Sequence, residues 1–270
     1  MSRILKLGKV APTISTRYAA FFPCLQAAPD SLVTLIDRSG KGNHALAGGS
    51  GIGAAAWSTT ANAFSASNST TTGAYLPKSA ASSWVWTPTQ RDTVVWSAQI
   101  FSPYAGASDT IFRTGTGSVT GGWWFETGAT FGSGSTPGVK LKFYDTVTGV
   151  QDVVGNANVT ASTWQTLTVI IDGPGNQAYV FVNGILAPVT ASTNPRPLSN
   201  VNIMTVQAAA VDPYIMSSPT GHSETSYTKK IRGMHYAIVP ASAGAIPDCY
   251  ALAMRLHRFP FTPLAASELP

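Results

Sequence analysis

Apolar and polar positions alternate in short runs along much of this chain, with glycine, asparagine and proline between them. The plainest run is Val139-Lys140-Leu141-Lys142-Phe143-Tyr144. A period of two puts Val139, Leu141 and Phe143 on one face of a strand and leaves the lysines wet. Val94–Phe101, Thr110–Arg113 and Gly121–Glu126 read as further strands, rich in β-branched and aromatic residues. From Trp164 the pattern is denser. Leu167, Val169 and Ile171 alternate with Thr166, Thr168 and Ile170, and Gly173-Pro174-Gly175-Asn176 makes a tight loop. Gln177–Val182 returns, Asn183-Gly184 supplies two residues tolerant of positive φ, and Ile185–Ala187 pairs back before Pro188. Three strands in sequence predict a meander.

Elsewhere, Leu32–Ile36 is a short β-prone run stopped by the turn signal Asp37–Asn43. Residues 48–72 read as loop with a short strand near Trp57. Residues 190–228 are loop-heavy around a predicted strand at Leu198–Gln207. Gly233–Val239 is a final strand, and Ala243–Leu256 is the one helix predicted, with Ala245, Ile246, Leu252 and Leu256 on one face. The expected architecture is all-β: a two-sheet antiparallel sandwich with one short C-terminal helix. Its boundaries are an N-terminal arm at 1–29, the sandwich at 30–258 and a tail at 259–270.

Composition narrows the function classes. Charged residues are 11% of the chain, against about 25% in ordinary soluble domains. Ser, Thr, Asn and Gly stand in their place, which suits a surface partly covered in an assembly. The net charge is +5, but the basic residues are scattered, so no stripe for specific nucleic-acid binding is formed. Cys24 and Cys249 lie near opposite ends without metal spacing; they read as buried free thiols, with a pairing left open should the termini meet. No run reaches the ~18 apolar residues of a membrane span, and the first residues lack a signal-peptide h-region, so synthesis in the cytoplasm is expected.

Four stretches resemble the laminin-G-like, concanavalin A-like jelly rolls. They are Asp37-Arg-Ser-Gly-Lys-Gly-Asn-His44, Val94–Gly115, the Trp164–Ala187 meander and Ile231–Leu256. The resemblance implies a jelly-roll sandwich. It implies little about activity, because that fold hosts lectins, glycanases and structural modules. Gly233-Met234-His235-Tyr236 stands where the family's last strand often carries an acidic pair.

A glycanase needs two carboxyl groups flanking one bond, ~5–9.5 Å apart. Glu126, Glu224 and Glu268 have no acidic neighbour two or four residues away, and Asp109, Asp145, Asp152 and Asp172 are isolated, so no enzyme is expected. His44, His222, His235 and His257 show no metal-ligand spacing. Asp37 and Asn43, with Ser39, offer oxygens suited to Ca²⁺, although side chains bonding their own turn are the simpler reading. Among the tryptophans, adjacent Trp123 and Trp124 point to opposite sheet faces. One of them, with Tyr144, is a candidate ligand platform. Arg3, Lys6, Lys9 and Arg17 make the first 29 residues a basic, proline-punctuated arm suited to docking on protein subunits of a larger assembly, including copies of itself. The leading expectation is a non-enzymatic virion protein decorating a phage capsid. The alternatives are a tail-fibre or lectin-type module binding glycans and, last, a glycoside hydrolase.

Overall fold

Strands form where the sequence alternates, and two antiparallel sheets result. The computed structural model describes residues 13–23, 27–28, 31–47, 56–58, 63–66, 74–76, 91–101, 109–114, 122–128, 138–145, 149–189, 193–200, 213–216 and 229–270. In chain order the strands are β1 (Tyr18–Phe22), β2 (Ala27–Ala28), β3 (Ser31–Leu35), β4 (Ala45–Ala47), β5 (Ala56–Ser58), β6 (Ala63–Ala66), β7 (Ala74–Tyr75), β8 (Thr93–Phe101) and β9 (Asp109–Thr114). They continue with β10 (Gly122–Gly128), β11 (Gly138–Asp145), β12 (Gly149–Asn158), β13 (Trp164–Asp172), β14 (Gln177–Val182), β15 (Ile185–Leu186), β16 (Arg196–Pro197), β17 (Pro213–Ile215) and β18 (Lys229–Val239). Helix α1 (Cys249–Arg258) follows.

The first sheet runs β15-β14-β13-β8-β18-β6-β5, with β1 joined to β18 and β16 to β14. The second runs β12-β11-β10-β9-β17-β7-β4-β3-β2. All described pairings are antiparallel. Inner faces meet in one core. Val94, Trp96, Ala98 and Ile100 of β8, with Tyr236 of β18, pack against Phe112, Trp123, Phe125, Leu141 and Phe143. The Trp96 ring lies 5.7 Å from Phe112 and 5.6 Å from Phe125, and Phe112 lies 5.1 Å from Trp123. These tilted and edge-on contacts are the favoured aromatic geometries. The architecture is the expected jelly-roll sandwich.

The meander from Trp164 is present as β13-β14-β15. Asn183 and Gly184 take φ of 53° and 75°, the left-handed pair a type I′ turn requires.

Other expectations need correction. The arm expected at 1–29 contains β1, a fully buried strand paired to β18 from Tyr18↔Ala237 to Phe22↔Met234. Its Ala19, Ala20 and Phe22 face the inter-sheet core, while Tyr18 and Phe21 enter a second core on the sheet's other side. A strand buried on both faces has no alternation to read. The second core lies under α1 and the last residues, where Val95, Ile170, Phe181 and Ala237 meet Leu252, Ala253, Leu256, Leu264 and Leu269. The 259–270 tail is thus part of the domain. The helix begins at Cys249 rather than Ala243, because Asp248 caps it, accepting a hydrogen bond from the Ala251 amide at 2.9 Å, directly after Pro247. Of the predicted 198–207 strand, Leu198–Asn200 is a 3₁₀ turn, and the remainder lies outside the described residues.

Thr13 and Ser15 are tied to Leu264 and Ala266. The Ser15 amide donates to the Leu264 carbonyl and the Ala266 amide to the Thr13 carbonyl, each at 2.9 Å. Beneath them, the His235 Nε2–H donates to the Pro260 carbonyl at 2.8 Å. A carbonyl can only accept, so Nδ1 is the bare nitrogen and accepts a hydrogen bond from the Tyr18 hydroxyl at 2.6 Å. Tyr18 Oη in turn accepts from the Leu264 amide at 2.8 Å. Burial pushes the His235 pKa down to about 4 and the Tyr18 pKa well above its ordinary value.

Candidate functional site

The Trp123–Trp124 pair divides as strand geometry demands. Trp123 points inward and is fully buried, in contact with Phe112. It cannot serve as a ligand platform, which corrects the expectation for that residue. Trp124 lies on the outer face and is half-buried. Tyr144 is opposite Gly122 in the β10–β11 register, and its side chain lies outside the described residues.

Trp124 sits in a row that the sequence did not reveal. The register pairs Lys142 with Trp124, Trp124 with Arg113, Arg113 with Tyr214, Tyr214 with Tyr75 and Tyr75 with Leu46. Neighbours on either side of these residues face the core: Phe112, Phe125, Leu141, Ile215, Ala74, Leu76 and Ala45. The six therefore line up on the outer face, perpendicular to the strands. With strands ~4.8 Å apart, the stretch from Lys142 to Tyr75 is about 19 Å long. Lys142, Trp124, Tyr214, Tyr75 and Leu46 are half-buried, and Arg113 is buried.

Local contacts hold the row in place. The Arg113 guanidinium stands 4.0 Å from the Trp124 ring centre, a cation–π stack that covers one face of the indole. The Lys142 ammonium reaches the Glu126 carboxylate at 2.7 Å, fixing a cation and an anion beside the ring. The surface this makes is amphipathic: aromatic rings and aliphatic stems set among charged and hydroxyl groups. Such a surface can pack the C–H faces of a polyhydroxylated ligand while hydrogen-bonding its hydroxyls. The pair Trp123-Trp124 was the only sequence signal; Tyr75 and Tyr214 lie on strands of two and three residues and carried none.

The other candidates fare differently. Asp37 is buried and its carboxylate is filled by donors. Oδ1 accepts from the amides of Phe21 at 2.9 Å and Ser39 at 2.8 Å. Oδ2 accepts from the Ser39 hydroxyl at 2.7 Å and the Asn43 amide at 2.9 Å. The Asn43 side-chain amide donates to the Ala19 carbonyl. A ring of donors repels a cation, so the Ca²⁺ expectation for Asp37 and Asn43 is corrected: they bind the turn and fasten it to β1. No cluster of three or more His, Cys, Asp or Glu side chains suited to a metal is present among the described residues.

Arg17 donates from Nε to the Pro270 carbonyl at 2.8 Å, so its guanidinium is engaged within the chain instead of reaching out as an assembly residue. Arg3, Lys6 and Lys9 lie outside the described residues, as does Cys24. Cys249 is a buried free thiol whose pKa burial pushes up to about 12.

The sequence matches no protein-family model and no curated protein. Solved structures do match. A botulinum neurotoxin type C structure, described for cell entry through two ganglioside molecules, is similar over 89% of this chain and 51% of its own, with a TM-score of 0.59 and 11% identity. The binding domain of botulinum neurotoxin DC in complex with SialylT gives 0.60, at 12% identity over 91% of this chain and 52% of its own. Domain 4 of AbnA, an extracellular arabinanase of Geobacillus stearothermophilus solved with arabinotriose, gives 0.53, at 13% identity over 89% of this chain and 98% of its own. What is shared is the fold. This chain spans about half the length of the toxin structures. It spans almost all of the arabinanase domain.

Proposed function

We propose that this protein is a lectin-type module that binds a glycan across the outer face of its second sheet, along the Lys142–Trp124–Arg113–Tyr214–Tyr75 row, without transforming it. The row carries the reading. Five successive strands each contribute one amphipathic side chain at one level, which gives a track long enough for several sugar rings in line. Trp124 is the anchor, held upright by Arg113, and the Lys142–Glu126 pair offers a donor and an acceptor beside it. Binding without hydrolysis agrees with a Glu126 carboxylate already engaged by Lys142. The sugar complex of the arabinanase domain, a structure of nearly the same extent, adds support from the fold.

A glycan array probed with the wild type and with Trp124→Ala tests this. Wild type is expected to retain a defined set of oligosaccharides. Loss of a central aromatic anchor typically costs at least 2 kcal/mol, so affinity for them should fall about 30-fold or more in the variant. Equal binding by a folded Trp124→Ala protein contradicts the assignment. Lys142→Ala, which leaves the indole in place, should give a smaller loss on the same glycans.

A further inference from the structure

The opposite face of the molecule carries a second platform. On the outer side of the first sheet, α1 and the last residues cover Val95, Ile170 and Ala237, and the cover reaches as far as His235. Two cross-strand rows lie beyond it. One is Thr166–Gln99–Arg232 and the other Trp164–Phe101–Lys230, each set by the register of β13, β8 and β18. Their inward neighbours Leu167, Ala98, Ile100 and Ile231 all belong to the core, so these six side chains face out. All but Thr166 are half-buried.

The floor is aromatic. The rings of Phe101 and Trp164 lie 5.7 Å apart. β14 pairs with β13 no further than Val182↔Leu167, so among the described residues no strand of the sheet flanks Trp164 on that side. The wall is Phe261. Its segment approaches the bulged strand so closely that a Cβ on Gly233 would meet the Pro260 carbonyl at 2.7 Å. Over the floor stands Arg232, 4.0 Å from the Trp164 ring centre and 5.5 Å from that of Phe261, with its Nε donating to the Gln99 side-chain carbonyl at 2.8 Å. The guanidinium is thereby fixed in one plane. Lys230, two residues earlier on the same strand face and about 6.7 Å away along the strand, holds its ammonium 5.5 Å above Phe101. Two cations, three aromatic side chains and a side-chain amide converge.

We infer that this cluster is a second binding site, distinct from the Trp124 face, for a saccharide bearing a carboxylate. The rings accept the C–H face of the sugar, and Arg232 and Lys230 take the carboxylate, with Gln99 positioning the guanidinium. The charge supplies the selectivity, since a neutral ring of the same shape would gain only the stacking.

Trigalacturonate and its fully methyl-esterified form share one saccharide backbone and differ in whether each carboxyl is charged or capped by a methyl group, so calorimetric titration with each, at low salt, is the test. Wild type is expected to bind the acid about tenfold more tightly than the ester, the scale of one charge-assisted contact. The preference should shrink as salt is raised. Lys230→Ala should reduce it about threefold, and Lys230→Ala with Arg232→Gln should abolish it while circular dichroism and Tm confirm the fold. Trp124→Ala, on the other sheet, should keep the preference. Equal affinity for acid and ester, a preference surviving in the folded double variant, or no binding of either overturns the inference. So does tighter binding of a single-stranded oligonucleotide than of the acid. Loss of the acid preference in Trp124→Ala would place both ligands on one face and overturn this site while sparing the first.

Discussion

Trp123→Ala is expected to destabilise the protein by about 3–5 kcal/mol, the range for emptying a large aromatic from a core. The residue is wholly buried, contacts Phe112 and is paired in register with Phe143. Its indole N–H has no hydrogen-bond partner among the described residues, so the loss is one of packing. That detail gives a second arm. Trp123→Phe removes an unsatisfied donor together with some volume, two effects of opposite sign, so it should cost less than about 1.5 kcal/mol. Urea unfolding followed by far-UV dichroism measures both. A folded, near-wild-type Trp123→Ala protein would mean that the inner face of β10 is not where the core lies. Trp124→Ala, one residue away, should lose much less stability and most of its glycan binding. The contrast between the two neighbours is the functional content of a two-residue period.

The second large effect is acid destabilisation through His235. Its folded pKa of about 4 lies below the ordinary 6.5, because burial disfavours the charged ring. A depressed folded pKa stabilises the fold above 6.5. As pH falls from 6.5 towards 4, the unfolded chain takes a proton that the folded one refuses, and stability drains by up to about 3 kcal/mol. Protonating Nδ1 also takes away the acceptor of the Tyr18 hydroxyl, which bridges β1 to Leu264. The groups facing the ring are Tyr18, Phe21 and the Pro260 carbonyl, with the Arg255 charge adding to the depression. Unfolding free energies at pH 7, 5.5 and 4.5 for wild type and His235→Gln test this. The variant should be less stable at pH 7, with the gap closing as pH falls. A gap independent of pH would show that His235 is protonated alike in both states.

The sandwich could be read from residues that carry their own turn chemistry or alternate cleanly. Asn183-Gly184 located a hairpin, and Val139–Tyr144 sorted its faces correctly. The failures share a cause. β1 is buried on both sides and so reads as a uniform apolar patch beside Pro23. β12 (Gly149–Asn158) is rich in Gly, Asn and Asp, residues depleted in strands, and is held by pairing with β11 rather than by propensity. Trp124 was legible because a Trp-Trp pair on a strand must present one ring outward. Arg113, Tyr214 and Tyr75 were not, since only long-range register brings them level. The same holds for Arg232 and Trp164, which have strands β14 to β17 between them in sequence, while the guanidinium stands 4.0 Å from the indole centre. Arg17 is a case of the same kind, since its partner, the Pro270 carbonyl, lies 253 residues further along the chain.

The proposed glycan-binding face lies on the outside of the second sheet around Trp124. Amide and indole ¹H–¹⁵N spectra of the full chain, titrated with the best neutral oligosaccharide from the array, test it directly. The Trp124 indole resonance should move in a saturable manner, together with the backbone amides of Arg113, Lys142 and Tyr214, while the core indoles of Trp96 and Trp123 stay in place. A saturable titration that leaves Trp124 and its row unmoved would contradict the account.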